Sequence, residues 1–417
     1  MSEVETVASW QGGGAGCIER LICHPRLSLV AGIDSQRPAV HVWDYRELLH
    51  RGSIGADSAA YGVAHIWERS ESTPTLAWHP EEPLLLARIG GRIVQWTPAG
   101  MSDPEGLSPD AAYRWMAFSP DGEILWASPS ASDIEYGGED RSDAIDLASA
   151  TVYPDVGWDT GVALHPAGGL AATLRSDQGA THVIFARLAD DNAMSVVRKA
   201  LILDADGYQT PIFSADGRHL AIRGNAYGHS VDVFEFPSLA RVLSTGLGEP
   251  RPADGDTAEW REQHDAWSPH NLAFGTRPGV LWIGTPTGTL VEVDVDEMTA
   301  VDHAVLNDSP VTALTATATG ELVVASGDGG LRLVRPTSAR ADAVDGIALP
   351  DSVSDFLSAT SEVPEDGDID EYLVRTDGTR TWNQDDLETV TSASAEDPPW
   401  LQLRAFMNTA RNQQHWR

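Results

Sequence analysis

The sequence is poor in cysteine, in basic residues and in long apolar runs. Cys17 and Cys23 are the only cysteines among 417 residues, and 28 basic residues stand against 62 acidic ones. No apolar run reaches the length of about 18 residues that a membrane-spanning helix needs. The first residues, MSEVETVASWQGG, lack the apolar core of a secretory signal. We therefore expect a cytoplasmic protein whose two thiols are reduced and inert, with a redox pair as the alternative.

The shortage of basic residues leaves a formal net charge of -34. A polyanion repels phosphate groups, so we expect neither nucleic acid nor an anionic membrane as a partner. Acidity also keeps a large all-β protein soluble and discourages edge-to-edge association of its sheets. The alternative interpretation of the charge is a preference for basic protein partners.

Motifs for catalysis and metal binding are missing as well. The sequence has no HExxH pair of zinc ligands, and its Gly-rich segments lack the Lys-Ser/Thr end of a phosphate-binding loop. His24, His79 and His165 are each followed by proline at equivalent places, and we expect each imidazole to bond the backbone of its own turn. The sequence therefore predicts no catalytic, cofactor-binding or metal-ligating residue.

What the sequence does contain is a repeat. A first apolar segment, a short turn and a second apolar segment recur as ERLICHPRLSLVAGI, PTLAWHPEEPLLLARI, RWMAFSPDGEILWAS, TGVALHPAGGLAATL, QTPIFSADGRHLAIR, HNLAFGTRPGVLWIG and VTALTATATGELVVAS. The glycine that closes the turn lies at positions 122, 168, 217, 279 and 320, with spacings of 46, 49, 62 and 41 residues. A period of about 40–50 residues built from short strands is typical of a β-propeller. We therefore predict an all-β fold, a single propeller of four-stranded antiparallel blades.

Each unit continues with a third apolar strand, such as PAVHVWDY, GRIVQWTP or VDVFEFPS, and a more polar fourth strand. The alternation over residues 231–236 predicts a strand with one buried face. The segments MAFSPDGEILWAS and VHVWDY, with its Trp43-Asp44 dipeptide, resemble the Trp-Asp repeat family of propellers. Trp96 is kept in the second unit, where Thr97 replaces the aspartate, and the later units lack the dipeptide. The resemblance implies a propeller of degenerate repeats that acts as an interaction scaffold.

The sequence is compatible with two numbers of blades, seven and eight. Seven units are clear, and residues 352–393 hold a further set of short apolar segments, at 372–374, 379–383 and 387–390. We expect eight blades, with seven blades and an appended hairpin as the alternative. The strand at residues 4–10 is expected to complete the last blade and close the ring.

We expect the propeller to occupy residues 1–397 and a helical tail to follow at 398–417. In the tail, Trp400, Leu403 and Met407 fall on one face at i, i+3 and i+7. This face predicts a helix that packs on the propeller, and the alternative is a helix that docks a partner.

An insertion at residues 246–267 stretches the spacing between the fifth and the sixth unit to 62 residues, and it carries Trp260 and Trp267. Insertions in propellers lie in rim loops, where binding commonly occurs. We therefore take both tryptophans as candidate binding residues, with a local cap over the blade edge as the alternative. Further candidates, chosen because they lie near predicted strand ends or loops, are Trp67, Arg20, Arg114 and Trp115.

Together these features predict a non-enzymatic scaffold for protein partners in an intracellular complex, without cofactor or metal. The alternatives are a propeller enzyme, such as a hydrolase or a lyase, and a sensor of a small ligand in the central channel. For the enzyme alternative the candidate residues are at the starts of first strands, namely Asp159, Asn271 and Asp308.

Overall fold

The computed structural model describes residues 4–12, 16–62, 69, 72–108, 113–129, 141–177, 180–204, 209–224, 228–252, 255–336, 349–364, 367–395 and 397–414. The fold is all-β, a propeller of seven blades, each built on a four-stranded antiparallel sheet. The fold class predicted from the repeat is therefore confirmed, and the preference for eight blades is wrong.

The strands follow the order of the repeats. Strand β1 covers Val4–Gln11. The first three groups of four are β2 (Ile18–Cys23), β3 (Leu29–Asp34), β4 (Val40–Asp44), β5 (Leu49–Ile54); β6 (Thr75–Trp78), β7 (Leu85–Ile89), β8 (Arg92–Thr97), β9 (Gly100–Ser102); and β10 (Trp115–Phe118), β11 (Ile124–Ser128), β12 (Arg141–Asp146), β13 (Thr151–Val156). The next two are β14 (Ala163–Leu164), β15 (Leu170–Asp177), β16 (Ala180–Leu188), β17 (Met194–Leu203); and β18 (Ile212–Phe213), β19 (His219–Gly224), β20 (Ser230–Glu235), β21 (Arg241–Gly246).

The remaining elements complete the repeats and form the C-terminal region. Helix α1 (Ala258–Asp265) precedes strands β22 (Leu272–Phe274), β23 (Val280–Gly284), β24 (Thr289–Asp294), β25 (Thr299–Ala304), β26 (Val311–Ala316), β27 (Leu322–Ser326) and β28 (Gly330–Pro336). The C-terminal region then contains α2 (Leu349–Ser358), α3 (Ile369–Tyr372), β29 (Arg375–Thr376), β30 (Thr381–Trp382), α4 (Gln384–Thr389) and α5 (Pro399–Gln414). The short C-terminal helix expected from the sequence is α5.

The chain divides into two compact units. The first unit comprises Met1–Gly161, Ser214–Asp216 and Gly246–Ile347, and it holds five of the sheets. One of them runs in the order β1-β28-β27-β26, so the N-terminal strand pairs antiparallel with a strand more than 300 residues later, from Val4 opposite Pro336 to Gln11 opposite Gly330. Apolar cores lie between successive sheets, and the largest side chains in them include Trp43, Trp126 and Trp282.

The second unit comprises Val162–Phe213, Gly217–Thr245 and Ala348–Arg417. It holds two sheets and the C-terminal region. Strand β29 pairs in parallel with β17, so this sheet extends to six strands in the order β14-β15-β16-β17-β29-β30. An added strand covers the backbone N–H and C=O groups that an outer strand would otherwise leave unpaired. The expected boundary between propeller and tail at residue 397 stays a prediction.

The segment expected to form an eighth blade contains helices and only the short antiparallel pair β29–β30. Residues 387–390, expected as an outer strand, lie largely in α4, and Tyr372 ends α3. Helix α4 begins with a capping box, in which the Asn383 side chain accepts from the Asp386 backbone and the Asp386 side chain accepts from the Asn383 backbone. Short apolar runs fit a strand or a helix equally well, and here the caps decide for helices.

The three histidines of the repeat turns bond the backbone, as predicted. Nδ1 of His24, His79 and His165 accepts a hydrogen bond from the amide two residues further on, at 3.0, 3.2 and 3.2 Å. With Nδ1 accepting, Nε2 carries the proton. It lies 2.9 Å from the Glu82 carbonyl oxygen in His24 and 3.1 Å from the Gly217 carbonyl oxygen in His165. These imidazoles therefore link the turn of one sheet to the turn of the next.

The same contacts explain why glycine closes the turns. Gly122 and Gly217 have φ values of +79° and +69°, in the left-handed region that favours glycine. A Cβ atom at Gly122 would also lie 2.1 Å from Nε2 of His79, and one at Gly217 would lie 2.5 Å from Nε2 of His165. Gly122 and Gly217 therefore meet both a backbone and a packing requirement, whereas Gly168 meets the backbone requirement alone.

Residues 231–236 differ from the expected half-buried strand. Val231, Asp232, Val233 and Phe234 of β20 are all buried, so both faces of the strand are covered. Burial raises the pKa of Asp232, and the Arg241 guanidinium 3.7 Å away opposes this shift.

Among the described residues, no helix is long and apolar enough to cross a membrane.

Candidate interaction surface

Helix α5 is anchored to the second unit by one face. Leu401 and Ala405 are buried on this face, and Trp400 packs edge-on against Trp382 with ring centroids 5.2 Å apart. The Asn408 amide donates hydrogen bonds of 2.8 Å to the Leu387 and Val390 carbonyl oxygens. Those carbonyls belong to the end of α4, where the last turn leaves acceptors free. The position of α5 is thus fixed by packing and by specific hydrogen bonds.

The opposite face of α5 is apolar and exposed. Leu403, Phe406 and Met407 are 49%, 71% and 53% exposed, although their side chains are large and hydrophobic. Positions i, i+3 and i+4 are neighbours on a helix, so the three side chains form one continuous stripe. We call these three residues the α5 stripe.

The packed face of α5 differs from the face predicted from the sequence. Trp400, Leu403 and Met407 were expected to pack together on the propeller, but Trp400 is buried whereas Leu403 and Met407 are exposed. The face that packs runs through Leu401, Ala405 and Asn408, at i, i+4 and i+7. A polar residue therefore completes the buried face, because two backbone carbonyls are available to it.

The insertion at residues 246–267 forms helix α1 with Trp260 half-buried. The Thr257 hydroxyl caps the helix by accepting from the Trp260 amide at 3.1 Å. The Trp260 ring stacks on His264 with centroids 4.6 Å apart, and its Nε1 donates to the Glu249 carbonyl oxygen at 3.0 Å. One ring face and the polar atom of Trp260 are therefore used inside the insertion.

Trp267 is also half-buried, at the end of the same insertion. A Cβ atom at Gly248 would lie 2.6 Å from its Nε1, so the indole rests directly on that glycine backbone. Arg251 Nε pairs with Asp256 Oδ1 at 2.7 Å, just before α1. The insertion is a locally folded segment, and partner binding by Trp260 and Trp267 stays a prediction.

Two of the other candidates meet in the structure. The Arg20 guanidinium carbon lies 5.7 Å from the centroid of the Trp115 ring, which brings the first strands β2 and β10 together through a cation–π contact. Burial lowers the pKa of Arg20 to about 10, so the side chain remains charged at neutral pH. The Arg114 side chain is exposed, and its amide donates to the Ser128 carbonyl oxygen at 2.7 Å. Trp67 lies outside the described residues.

Sequence reasoning missed a buried charge cluster next to Arg20. Glu19 pairs with Arg69, whose guanidinium also donates to the Ser35 carbonyl oxygen and lies 4.8 Å from the Tyr61 ring centroid. Burial raises the pKa of Glu19 to about 7, although the positive charge of Arg69 acts in the opposite direction. These residues are spread over 50 positions of the sequence, and no motif connects them.

The raised pKa of Glu19 predicts a pH-dependent stability. The native state holds this proton more tightly than the unfolded state, so the contribution is present below the unfolded pKa of 4.5 and is lost as the pH rises through about 7. We expect the free energy of unfolding of the wild type to fall, relative to that of Glu19→Gln, by roughly 2–3 kcal/mol between about pH 5 and about pH 8. Urea unfolding of both proteins across this range measures the difference. Parallel pH profiles would contradict it.

The cysteines are free and poorly reactive. Cys17 and Cys23 form no disulfide, and burial raises the pKa of Cys23 to about 12 and also raises that of Cys17. A thiolate is the reactive form, so both thiols are weak nucleophiles at neutral pH. The alternative of a redox pair is not supported by these raised values.

The residues expected at a channel mouth have separate roles. The Asn271 amide is fully buried and donates to the Gly284 carbonyl oxygen at 2.7 Å, within its own sheet. Asp308 is exposed with φ +56° in the turn before β26, and Asp159 is half-buried. Among the described residues, no group of three or more His, Cys, Asp or Glu side chains could hold a metal ion. The enzyme and sensor alternatives stay predictions.

Neither of two comparisons with known proteins finds a match to the chain. No protein-family model matches the chain, and no curated protein sequence matches it. The class of the protein is therefore given by the fold itself, a seven-bladed β-propeller.

Proposed function

We propose that this propeller is a non-enzymatic interaction scaffold that binds a protein partner through the α5 stripe. The observation that carries the proposal is the exposure of Leu403, Phe406 and Met407 on a helix whose other face is firmly packed. Contiguous exposed apolar side chains on a soluble protein mark interaction sites. A helix that is already held in place loses little conformational freedom when a partner binds.

Other exposed apolar residues do not form a comparable surface. Met101 and Met298 are 59% and 62% exposed, but Met101 is on β9 and Met298 in the turn before β25. Val152 and Tyr153 are adjacent on β13, and successive side chains of a strand point to opposite faces. Singly exposed apolar side chains are normal on protein surfaces. Only the α5 stripe, among the described residues, combines three large exposed side chains on one helix face.

The scaffold is proposed to be of the Trp-Asp repeat type, with degenerate repeats, in an intracellular complex. Trp43 is fully buried on β4, and the Asp44 carboxylate accepts from the Arg46 amide at 3.2 Å and pairs with Arg51. This dipeptide therefore contributes to the blade that contains it, through the buried indole and the ion pair. The raised pKa values of the free thiols suit a reducing compartment.

The proposal is tested by purifying the tagged full chain from its native cells and identifying what co-purifies. The test variant is Leu403→Ser with Phe406→Ser, and the matched control is Met101→Ser with Met298→Ser, which also removes two exposed apolar side chains. We expect a stoichiometric protein partner with the wild type and the control, reduced about tenfold or more with the test variant. Equal melting temperatures of the three proteins would show that only the surface has changed.

Two outcomes would count against this function. A partner retained by the test variant would place binding elsewhere on the molecule. The wild type isolated without any partner would remove the support for a scaffold, and the enzyme and sensor alternatives would then come first.

A further inference from the structure

Helix α5 differs in charge from the rest of the chain. Residues 398–414 contain Arg404 and Arg411 and no acidic residue, in a protein with a net charge of -34. Both arginines are exposed. The α5 stripe therefore lies in a locally basic part of an acidic protein.

The two arginines border the α5 stripe along one side. Arg404 and Arg411 are seven residues apart, which is about two helical turns, so they lie above one another. Met407 lies three residues after Arg404 and four residues before Arg411, and both spacings make neighbours on a helix. The exposed face of α5 thus combines an apolar centre with a positively charged edge.

Neither arginine has an acidic partner within the described part of the chain. Other arginines of the second unit do have one: Arg380 pairs with Asp397 at 2.7 Å, and Arg187 pairs with Glu362 at 3.1 Å. No comparable ion pair joins Arg404 or Arg411 to another described residue. Within the part of the chain that the structure describes, two guanidinium groups therefore remain available at the edge of the stripe.

These features select one kind of occupant. A second copy of the chain would bring two charges of -34 together, and the same charge opposes an anionic membrane. A helix from another protein can cover the apolar centre with its own apolar face, and carboxylates beside that face can pair with the arginines. A single helical segment brings only a few charges, so the two arginines next to its binding face have a larger effect on it than the distant, screened charges of the chain.

We infer that the α5 stripe binds an amphipathic helix of another protein, whose apolar face is bordered by acidic residues that pair with Arg404 and Arg411. The inference rests on the proposed function and names the partner segment of the same site. The preference for basic partners, expected from the net charge, then applies to other parts of the surface.

The test uses a library of amphipathic helical peptides with a fixed apolar face and flanking positions randomised among Glu, Lys and Gln. Peptides are selected on the immobilised full chain, on Arg404→Glu with Arg411→Glu, and on Phe406→Asp, all with wild-type melting temperatures. We expect Glu to exceed Lys about tenfold or more at the flanking positions on the wild type, since opposite charges across an interface favour the correct partner. The preference should reverse on the double arginine variant, and selection should fail on Phe406→Asp.

Several results would overturn the inference. These are an absence of Glu enrichment on the wild type, the same enrichment on the double arginine variant, or peptides recovered equally well on Phe406→Asp. A dimer in sedimentation velocity that Phe406→Asp dissociates would identify a second copy as the occupant. Binding to phosphatidylcholine–phosphatidylserine vesicles that Phe406→Asp abolishes would identify a membrane.

The failure of this inference can be told from the failure of the proposed function. If the stripe variant loses its native partner but the selected peptides show no charge preference, the scaffold stands and the acidic helix is wrong. If the native partner is unaffected by the stripe variant, the surface itself is wrong.

Discussion

Replacement of Phe356 by alanine is expected to lower the free energy of unfolding by about 3–5 kcal/mol. Phe356 belongs to α2, is 2% exposed and packs against Phe185 and Phe236 with ring centroids 5.1 and 5.0 Å apart. Lys199 lies 5.2 Å above the same ring. Removing the ring leaves a cavity between the sheets of the second unit, and typical proteins have only about 5–15 kcal/mol of stability. Urea unfolding of the variant and the wild type measures the effect.

Phe406→Ala is the matched control, because it removes the same side chain from an exposed position in the same C-terminal region. We expect its free energy of unfolding to remain within about 0.5 kcal/mol of the wild type. Phe356→Leu should lose less than Phe356→Ala, since it fills part of the space. Equal destabilisation by Phe356→Ala and Phe406→Ala would show that α2 is not part of the core.

Deletion of residues 1–11 is expected to abolish cooperative folding or to cause aggregation. Strand β1 pairs along its length with β28, and Trp10 packs edge-on against the buried Trp43 with centroids 5.3 Å apart. Without β1, the strand β28 becomes an open edge whose unpaired backbone groups can bind other chains. The change is measured by thermal unfolding and by sedimentation of the purified protein.

Two controls separate pairing from side-chain packing in that experiment. Trp10→Ala keeps the strand and removes only the ring, so it should have a smaller effect than the deletion. A peptide of residues 4–11 added to the deletion variant should restore part of the stability, since an extended segment can add to a free sheet edge. An unchanged melting temperature of the deletion variant would show that β1 contributes little.

The two Phe positions also separate the roles of the C-terminal region. Its inner residues complete the second unit, because α2 enters the core and β29 covers the edge of β17. Its outer residues present the α5 stripe. We therefore expect substitutions at Phe356 to act through stability and substitutions at Phe406 to act through binding.

The sequence by itself determined the fold class and the turns. The spacing of the turn glycines predicted four-stranded blades, and the equivalent places of His24, His79 and His165 predicted imidazoles that bond their own turns. Both follow from local rules: short apolar strands need a turn, and a turn residue with positive φ is most often glycine. The strand and turn pattern is weak in any single copy, but it can be recognised because it recurs in seven units.

Only the tertiary structure decided the number of blades and the candidate site. Residues 372–390 carry apolar runs that fit a strand or a helix. The structure forms only the two-residue strands β29 and β30 there, and residues 384–389 form α4 behind a capping box. The sequence of α5 is compatible with several packed faces of the helix. The structure buries the face that contains Asn408, because the Asn408 amide donates to the carbonyl oxygens at the end of α4. The pairing of Glu19 with Arg69 likewise depends on distant residues meeting. Such choices depend on what each element packs against, which no local pattern of residues contains.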